Sequence, residues 1–214
     1  MANTYNGPTT ITNGGILNAN FAGALPTGTR SAVSFTGTGT STLSLGASQV
    51  VASLTSAGAA TVTLGTNTLT VGTASGSTTF TGSIGGTGGN LIKDGAGTQV
   101  LSGTNGYTGT TTVSGGTLLL DYGTNASVLS SSSALTLGGG TLQLKGKNSG
   151  ATAQTLASLS LTAGIASSIS LNPNGGTSTT LTITGPAIST GAGASVNFNS
   201  VSYTHLTLPT IYSV

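Results

Sequence analysis

Few side chains in this sequence could carry out acid–base chemistry. Apart from a C-terminal tail treated below, its acidic residues are Asp94 and Asp121, and it has no histidine, cysteine or glutamate. The two aspartates are about one period of the repeat apart in this chain, so they could be neighbours that hydrolyse glycosidic bonds as paired carboxylates. Alternatively, each begins a turn, because a glycine follows closely in both places. We favour the turns and predict no catalytic residue.

A glycine-rich stretch before the first aspartate resembles a calcium-binding loop. Residues 85–90, GGTGGN, follow a Gly-Gly-x-Gly-x-Asp pattern up to the last position, where Asn90 replaces the aspartate. Calcium prefers carboxylate oxygens, and the stretch is not repeated in tandem. We therefore predict no metal site.

A second stretch, residues 140–148 (GTLQLKGKN), resembles a phosphate-binding loop. It has one residue too many between its two glycines, and Asn148 stands where such a loop needs serine or threonine. We therefore predict no bound cofactor. Lys145 and Lys147 are expected on a solvated rim, where they also discourage the pairing of sheet edges.

The composition excludes several classes of function. Charged residues make up 3% of the 214 residues, and the basic pI near 9.2 comes from four cations, Arg30, Lys93, Lys145 and Lys147. These cations are too few and too scattered to bind nucleic acid. No apolar run is long enough to predict a membrane span, and residues 1–10 have neither the basic nor the apolar region of a signal peptide.

Alternation of apolar and polar residues predicts short β-strands along the whole chain. It is clear in TVTLG at 61–65, TLTVG at 68–72 and ALTLG at 134–138, and turn-forming residues separate such segments. No window has the apolar spacing of a helix. The Thr-x-Thr rows of the first two segments could form an ice-binding surface, but the outward side of half-buried strands explains them better.

The strands recur with a period of about 24 residues. The repeated pattern is an aliphatic residue, three turn residues and then Thr-Leu-x-aliphatic or a close variant. It begins at Leu64, Val113 and Leu137, with looser copies at Leu161 and Ile183. Such a period with several short strands and no helix predicts an all-β fold, a parallel β-helix (β-solenoid) with coils of roughly 24 residues. Glycine and asparagine are expected at its corners.

A longer motif occurs twice. Residues 3–17 align without gaps to residues 105–119, and this offset is about four periods. The identical positions of the first copy are Asn3, Tyr5, Gly7, Thr9, Thr10, Gly14 and Leu17. We expect the chain to begin inside a motif whose full form starts near Asn90. Tyr5 and Tyr107 could stack against sugars, but we expect each ring to pack on its coil with the hydroxyl in water.

Residues 201–214, VSYTHLTLPTIYSV, differ from the rest of the chain. They contain no glycine, two of the five tyrosines and the only histidine, His205. Residues 201–210 match the translation of a transposase adapter used in DNA sequencing libraries. We interpret 201–214 as a non-native read-through tail and exclude it from the fold, which we expect to end near residue 200.

Residues 88–120, GGNLIKDGAGTQVLSGTNGYTGTTTVSGGTLLL, resemble the autotransporter-associated β-strand repeat, also called the passenger-associated transport repeat. The half-copy at 3–17 fits the same pattern from Asn3 onward, and the other strands resemble it only in style. The residues of the full copy that fit are Lys93, Gly95, Gly97, Ser102, Gly103, Asn105, Tyr107, Gly109, Thr111, Gly116 and Leu118.

The resemblance implies a β-helical passenger, secreted by a bacterium or held on its surface and carried through the outer membrane by a C-terminal barrel. Similar repeats in surface proteins that end in a sorting signal leave the export route open. We therefore predict residues 1–200 to be a passenger-type fragment whose partner is the remainder of its own polypeptide, barrel or sorting signal.

The predicted function is that of a non-enzymatic stalk whose folding assists secretion. The first alternative is an adhesin that binds glycans or host surfaces through an exposed face rich in threonine and asparagine. A second alternative is a β-helical lyase or hydrolase that uses Asp94 and Asp121.

Overall fold

The structure is a computed structural model that describes residues 3–26, 30–72, 75–125, 128–185, 188–200 and 206–207. The described residues form short β-strands without any helix, so they contain no helix that could cross a membrane. In chain order the strands are β1 (Thr9–Thr12), β2 (Ile16–Ala19), β3 (Ala32–Thr36), β4 (Ser41–Leu45), β5 (Gln49–Val51), β6 (Ser53–Ser56), β7 (Ala60–Thr63), β8 (Thr68–Val71), β9 (Ser77–Phe80), β10 (Ser83–Gly85), β11 (Asn90–Lys93), β12 (Thr98–Leu101), β13 (Thr111–Val113), β14 (Thr117–Asp121), β15 (Ala134–Leu137), β16 (Thr141–Lys145), β17 (Ala151–Leu156), β18 (Ser158–Leu161), β19 (Ala166–Asn172), β20 (Ser178–Ile183), β21 (Ser189–Thr190), β22 (Ser195–Ser200) and β23 (Leu206–Thr207).

The strands stack in parallel on three faces of a solenoid. β3, β4 and β5 are successive sides of one coil and pair with β6, β7 and β8 of the next coil. The first face contains β1, β3 and β6 and continues beside β6 with β9, β12, β14, β16, β19 and β22. The second face contains β2, β4, β7 and β10 and, further along, β17, β20 and β23. The third face is a seven-stranded ladder of β5, β8, β11, β13, β15, β18 and β21, roughly 29 Å long at about 4.8 Å per strand.

The structure confirms the predicted parallel β-solenoid and its period. Leu137 of β15 pairs with Leu161 of β18, so the ladder joins two positions at which the repeat recurs in the sequence. The coils are not all of equal length. On the third face the shortest spacing, from Val51 to Val71, recurs from Lys93 to Val113, and the longest joins Leu161 to Thr190. The connections absorb these differences, because surface segments change length without disturbing the ladders that they join.

The core is a narrow column of aliphatic side chains. On the third face each second residue points inward, so that Leu69, Leu91, Leu135 and Leu159 form one row along the axis. Between Leu91 and Leu135 that row contains Thr111, which is also buried. Each buried leucine stabilises the fold by roughly 1.5–3 kcal/mol relative to an exposed one. A chain that lacks tryptophan and has 4% aromatic residues therefore builds its core by stacking one aliphatic layer per coil.

The two copies of the long motif lie on different faces of the solenoid. β1 of the first copy belongs to the first face, whereas β13, its sequence equivalent, belongs to the third face. A whole number of coils would have placed both strands on one face. The estimate that the offset between the copies corresponds to about four coils was therefore wrong. Coils shorter than the period, such as the one from Val51 to Val71, lie between the two copies.

The corner after the first strand of the motif is one residue longer in the first copy. Leu17 points inward and pairs with Leu43, whereas Leu119, its partner in the ungapped alignment, points outward beside the buried Leu118. The inward counterpart of Leu17 is therefore Leu118. A one-residue slip reverses the direction of every side chain in a strand, so the extra residue must be accommodated in the corner.

Of the tail predicted at 201–214, the structure describes Leu206–Thr207, which pairs with Leu181 and Thr182 of β20. The remaining positions, including His205, lie outside the described residues.

Candidate functional site

The lysine of the motif lies inside the solenoid. Lys93 is 2% exposed and stands in an inward row of the third face, between Val71 and Val113. Its Nζ donates hydrogen bonds to the backbone carbonyls of Asp94 at 2.6 Å, Gly95 at 3.0 Å and Gly115 at 3.2 Å. Because Gly115 belongs to the next coil, this buried ammonium joins two successive coils.

The surroundings of Lys93 favour a structural role. Burial lowers the pKa of the Lys93 ammonium, and the nearby Asp94 carboxylate opposes that shift. The cavity beside the ammonium has a volume of about 20 Å³ and is lined by Gly72, Thr78 and Gln99 among others. A cavity of that size holds about one water molecule and no substrate.

The two aspartates are not neighbours, so the hypothesis of paired carboxylates was wrong. Asp94 follows β11 on the third face, and its carboxylate accepts a hydrogen bond from the amide of Gly95 at 2.7 Å and pairs with Arg30 at 3.4 Å. Asp121 ends β14 on the first face and pairs with Lys145 at 3.1 Å. Each carboxylate thus has its own cation, and neither can assist the other.

Asn90, which replaces the aspartate of the calcium-binding pattern, forms hydrogen bonds with backbone groups. Its Oδ1 accepts a hydrogen bond from the amide of Thr110 at 2.8 Å, and its Nδ2 donates to the carbonyl of Gly88 at 3.3 Å. Thr110 lies in the next coil, so the asparagine connects two corners. The described residues contain no cluster of three or more side chains from histidine, cysteine, aspartate and glutamate.

Tyr107 is fully buried, contrary to the expectation that its hydroxyl reaches water. The hydroxyl forms a hydrogen bond with the Thr111 hydroxyl at 2.8 Å. The Thr111 hydroxyl also meets the Ser133 hydroxyl of the next coil at 3.2 Å, and Ser133 donates to the carbonyl of Gly109 at 2.7 Å. The expectation was wrong because the coil on either side covers the corner.

The first copy of the motif contains the same chain of hydrogen bonds. Tyr5 bonds Thr9, the Thr9 hydroxyl meets the Ser31 hydroxyl at 3.2 Å, and Ser31 donates to the carbonyl of Gly7 at 2.6 Å. All four residues precede their counterparts in the second copy by the same offset. Tyr5 is 36% exposed and Tyr107 is 0% exposed, so the network forms with or without a covering coil.

Two glycines of the motif are required by the closeness of the coils. A Cβ on Gly103 would collide with the carbonyl oxygen of Gly82, and a Cβ on Gly109 would collide with that of Gly89. The oxygens are backbone atoms that cannot rotate away. Any side chain at these positions would therefore push neighbouring coils apart.

Buried amide side chains bridge the places where the strand ladders are interrupted. The four amides, Gln49, Gln99, Asn105 and Gln154, are each at most 3% exposed. Every one of them both accepts a hydrogen bond from a backbone N–H and donates to a backbone carbonyl of another coil. A side-chain amide has the same donor and acceptor as a peptide group, so it can replace a missing strand partner.

Asn105 bridges the gap in the second face. No strand is present on that face in residues 103–110 or in the described residues of 122–133. The Oδ1 of Asn105 accepts from the amide of Ile84 in β10 at 2.9 Å, and its Nδ2 donates to the carbonyl of Val128 at 2.8 Å. The hydrogen bonding of the face therefore continues from one coil to the next through this side chain, together with backbone bonds such as that from the Gly106 amide to the Ile84 carbonyl at 2.8 Å.

Gln99 bridges the first face where β6 and β9 form no ladder. Its Oε1 accepts from the amide of Leu54 in β6 at 3.2 Å, and its Nε2 donates to the carbonyl of Leu54 at 3.0 Å. The hydroxyl of Thr78 in β9 also donates to Oε1, at 3.0 Å. Both backbone groups of Leu54 are thus bonded to one amide from a strand 45 residues away.

Gln49 and Gln154 have comparable positions after the two copies of the motif. Each covers a side of the preceding coil that has no strand among its described residues. Gln49 accepts from the amide of Leu25 at 3.0 Å and donates to the carbonyl of Phe21 at 2.8 Å. Gln154 accepts from the amide of Leu129 at 3.3 Å and donates to its carbonyl at 3.2 Å.

The three glutamines are not among the residues that define the motifs found in the sequence. Gln49, Gln99 and Gln154 lie at inward positions of alternating strands, where this chain otherwise places aliphatic residues. An amide at an inward position is the signal that could have found them. Among the described residues, no buried side-chain nitrogen or oxygen lacks a hydrogen-bond partner.

Comparison with known proteins identifies the motif. Residues 1–19 and 91–120 match the family model of the passenger-associated-transport-repeat. These two segments include both Tyr–Thr pairs and, in the second, Lys93 and Asn105, so the predicted resemblance is confirmed at the residues that carry it. No curated protein and no solved structure matches the chain.

The buried tyrosines predict a loss of stability at alkaline pH. Burial raises the pKa of Tyr107 and of Tyr122 above the ordinary value, so ionisation favours the unfolded chain once the pH exceeds about 10. Each tyrosine should lower the free energy of unfolding by about 1.4 kcal/mol per pH unit there. Lys93 acts in the opposite direction, because its lowered pKa adds stability as the pH rises from the folded pKa to the unfolded one.

With two tyrosines against one lysine, the net effect above pH about 10 is a loss. Urea denaturation between pH 8 and about 11 measures it. Tyr107→Phe should remove about half of the alkaline slope, and Tyr122→Phe should do the same. An unchanged slope in both variants would contradict the burial of these hydroxyls.

Proposed function

We propose that this chain, which carries two segments of the passenger-associated transport repeat, is a non-enzymatic stalk of a bacterial surface or secreted protein. The observation that carries the proposal is the continuity of hydrogen bonding along the rod. The seven-stranded third face is unbroken, and amide side chains bridge the interruptions of the other two faces. A rod bonded in this way from coil to coil resists bending and stretching.

The proposal places the chain outside the cell. Passenger repeats occur in proteins of the surface and the extracellular space, and we propose attachment to the outer membrane through the remainder of the polypeptide, either a translocator barrel or a sorting signal. The stalk then separates the attached end from parts that act at a distance. A chain in which only 3% of the residues are charged is compatible with that passive role.

The same geometry supports assistance in secretion. Each new coil finds the unbroken strand of the third face and the bridging amides of the other two faces on the previous coil, so it can fold on that template as it leaves the membrane. Coil-by-coil folding predicts graded hydrogen exchange along the rod, with protection highest in β8, β11 and β13 and lowest in the outer coils. Uniform protection along the rod would argue against templated folding, but it would not contradict the proposed role of the rod as a stalk.

Stretching single molecules by their two ends tests the stalk directly. We expect little extension at low force and then a series of steps, each releasing one coil of about 24 residues, or roughly 80 Å of extended chain. Gradual extension without steps would show that the coils do not form a stiff rod, and the proposed stalk would have to be abandoned.

A second candidate function is adhesion to glycans, favoured by outward hydroxyl rows. On the third face Thr112, Thr136 and Ser160 are adjacent members of one outward row. Ile92 precedes Thr112 in the same row and interrupts the series of hydroxyls. This interruption disfavours the regular threonine array of an ice-binding surface. A glycan array probed with the folded protein tests adhesion, and no signal on the array would exclude it.

A further inference from the structure

A groove on the side of the rod is lined almost entirely by polar residues. Its volume is about 460 Å³, and its walls are formed by Thr81, Ser102, Asp121, Gly123, Thr124 and Lys145. It lies at the edge of the first face, beside the part of the second face where the described residues form no strand. Asn105 bridges the same part of the second face inside the solenoid.

The groove runs along the rod axis across four coils. Thr81 follows β9, Ser102 follows β12, Asp121 ends β14 and Lys145 ends β16, so each coil contributes one residue from the end of a strand. The register of the ladder places Asp121 directly opposite Lys145. The row is therefore roughly 14 Å long at about 4.8 Å per coil, which suits an extended chain-like ligand.

The groups in the groove can donate and accept hydrogen bonds, and their charges cancel. Lys145 Nζ lies 3.1 Å from Asp121 Oδ2, and these side chains are 38% and 22% exposed. Asp121 Oδ1 also accepts from the amide of Gly123 at 2.9 Å, which fixes the carboxylate. The other lining residues are Gly123 and three hydroxyl residues, Thr81, Ser102 and Thr124. Of the described charged residues, two lie in this one groove, although only 3% of the chain is charged.

We propose that this groove binds a neutral oligosaccharide chain lying along the rod. A paired carboxylate and ammonium bind sugar hydroxyls as acceptor and donor without selecting a net charge. None of the described residues that line the groove is aromatic, so affinity comes from hydrogen bonds and is modest. This site would give the second candidate function, adhesion, a location separate from the hydroxyl rows of the third face, and it does not depend on the stalk.

Titration of the folded protein with maltohexaose, cellohexaose and chitohexaose, followed by NMR, tests the site. We expect at least one of these to shift the backbone signals of Ser102, Gly123 and Thr124. Asp121→Ala and Lys145→Met should each weaken binding at least about tenfold, since each removes a charged hydrogen-bonding partner. The control Lys147→Met, outside the groove, should bind as the unchanged protein does, and circular dichroism should confirm that all variants are folded.

The possible results of this titration distinguish binding in the groove from adhesion in general. If an oligosaccharide binds but its affinity is the same in Asp121→Ala and Lys145→Met, the groove is not the site, although adhesion stands. If none of the three binds at millimolar concentration, the proposed site is overturned. A glycan array that is positive for anionic glycans alone would likewise overturn it, because the groove has no net charge.

Discussion

Replacing Asn105 by alanine is expected to lower the free energy of unfolding by about 3 kcal/mol. The substitution removes the acceptor of the Ile84 amide and the donor to the carbonyls of Gly103 and Val128. Asn105 is 2% exposed, so water cannot replace these bonds without opening the coil. An unsatisfied buried polar group costs about 1–3 kcal/mol, and the Ile84 amide is the most severe case.

The first copy of the motif provides the control. Asn3 is the counterpart of Asn105, but it is exposed and donates one hydrogen bond of 3.3 Å to the carbonyl of Ala24. Asn3→Ala should change stability by less than about 0.5 kcal/mol. Urea denaturation followed by circular dichroism measures both variants. Equal effects of the two substitutions would show that Asn105 does not bridge the second face.

Replacing Lys93 by methionine is expected to cost about 2 kcal/mol. Methionine keeps the length of the side chain in the aliphatic row but leaves the carbonyls of Asp94, Gly95 and Gly115 without the ammonium. Exchanging both members of a buried ion pair for apolar residues can be neutral, because all the polar groups are removed together. Here the partners are backbone carbonyls and remain, so the loss exceeds the gain from no longer burying a charge.

Lys147→Met is the matched control, since Lys147 is half-exposed at a corner, and we expect a change within about 0.5 kcal/mol. Thermal unfolding and hydrogen exchange at the Gly95 and Gly115 corners distinguish the two variants. A Lys93→Met protein as stable as the unchanged chain would mean that the ammonium contributes nothing to holding the two coils together.

The sequence was sufficient to predict the fold because the signals for it are local and repeated. Alternation in segments such as ALTLG requires a strand with one buried side, and the recurrence at Leu137 and Leu161 requires coils that stack in register. Both inferences depend on patterns within a single strand or a single period. They do not require knowledge of which coil lies above which corner.

The polar interior could not be predicted in the same way. Lys93 was recognised as a residue of the repeat motif, but the motif did not show that its side chain points inward at the end of β11. Tyr107 was expected to reach water because its corner looked like a surface feature, yet the neighbouring coils cover it completely. Gln99 acts on Leu54, 45 residues away, and the spacing of that contact depends on two coil lengths that the sequence does not reveal.

The distance between spin labels at Thr70→Cys and Ser160→Cys tests the stacked solenoid most directly. Both positions belong to one outward row of the third face, in which Thr70, Ile92, Thr112, Thr136 and Ser160 follow each other through four ladder steps. The stacked structure predicts a narrow distribution centred roughly 19 Å apart at the backbone. A broad distribution around roughly 50 Å, as in an unfolded segment of that length, would contradict it.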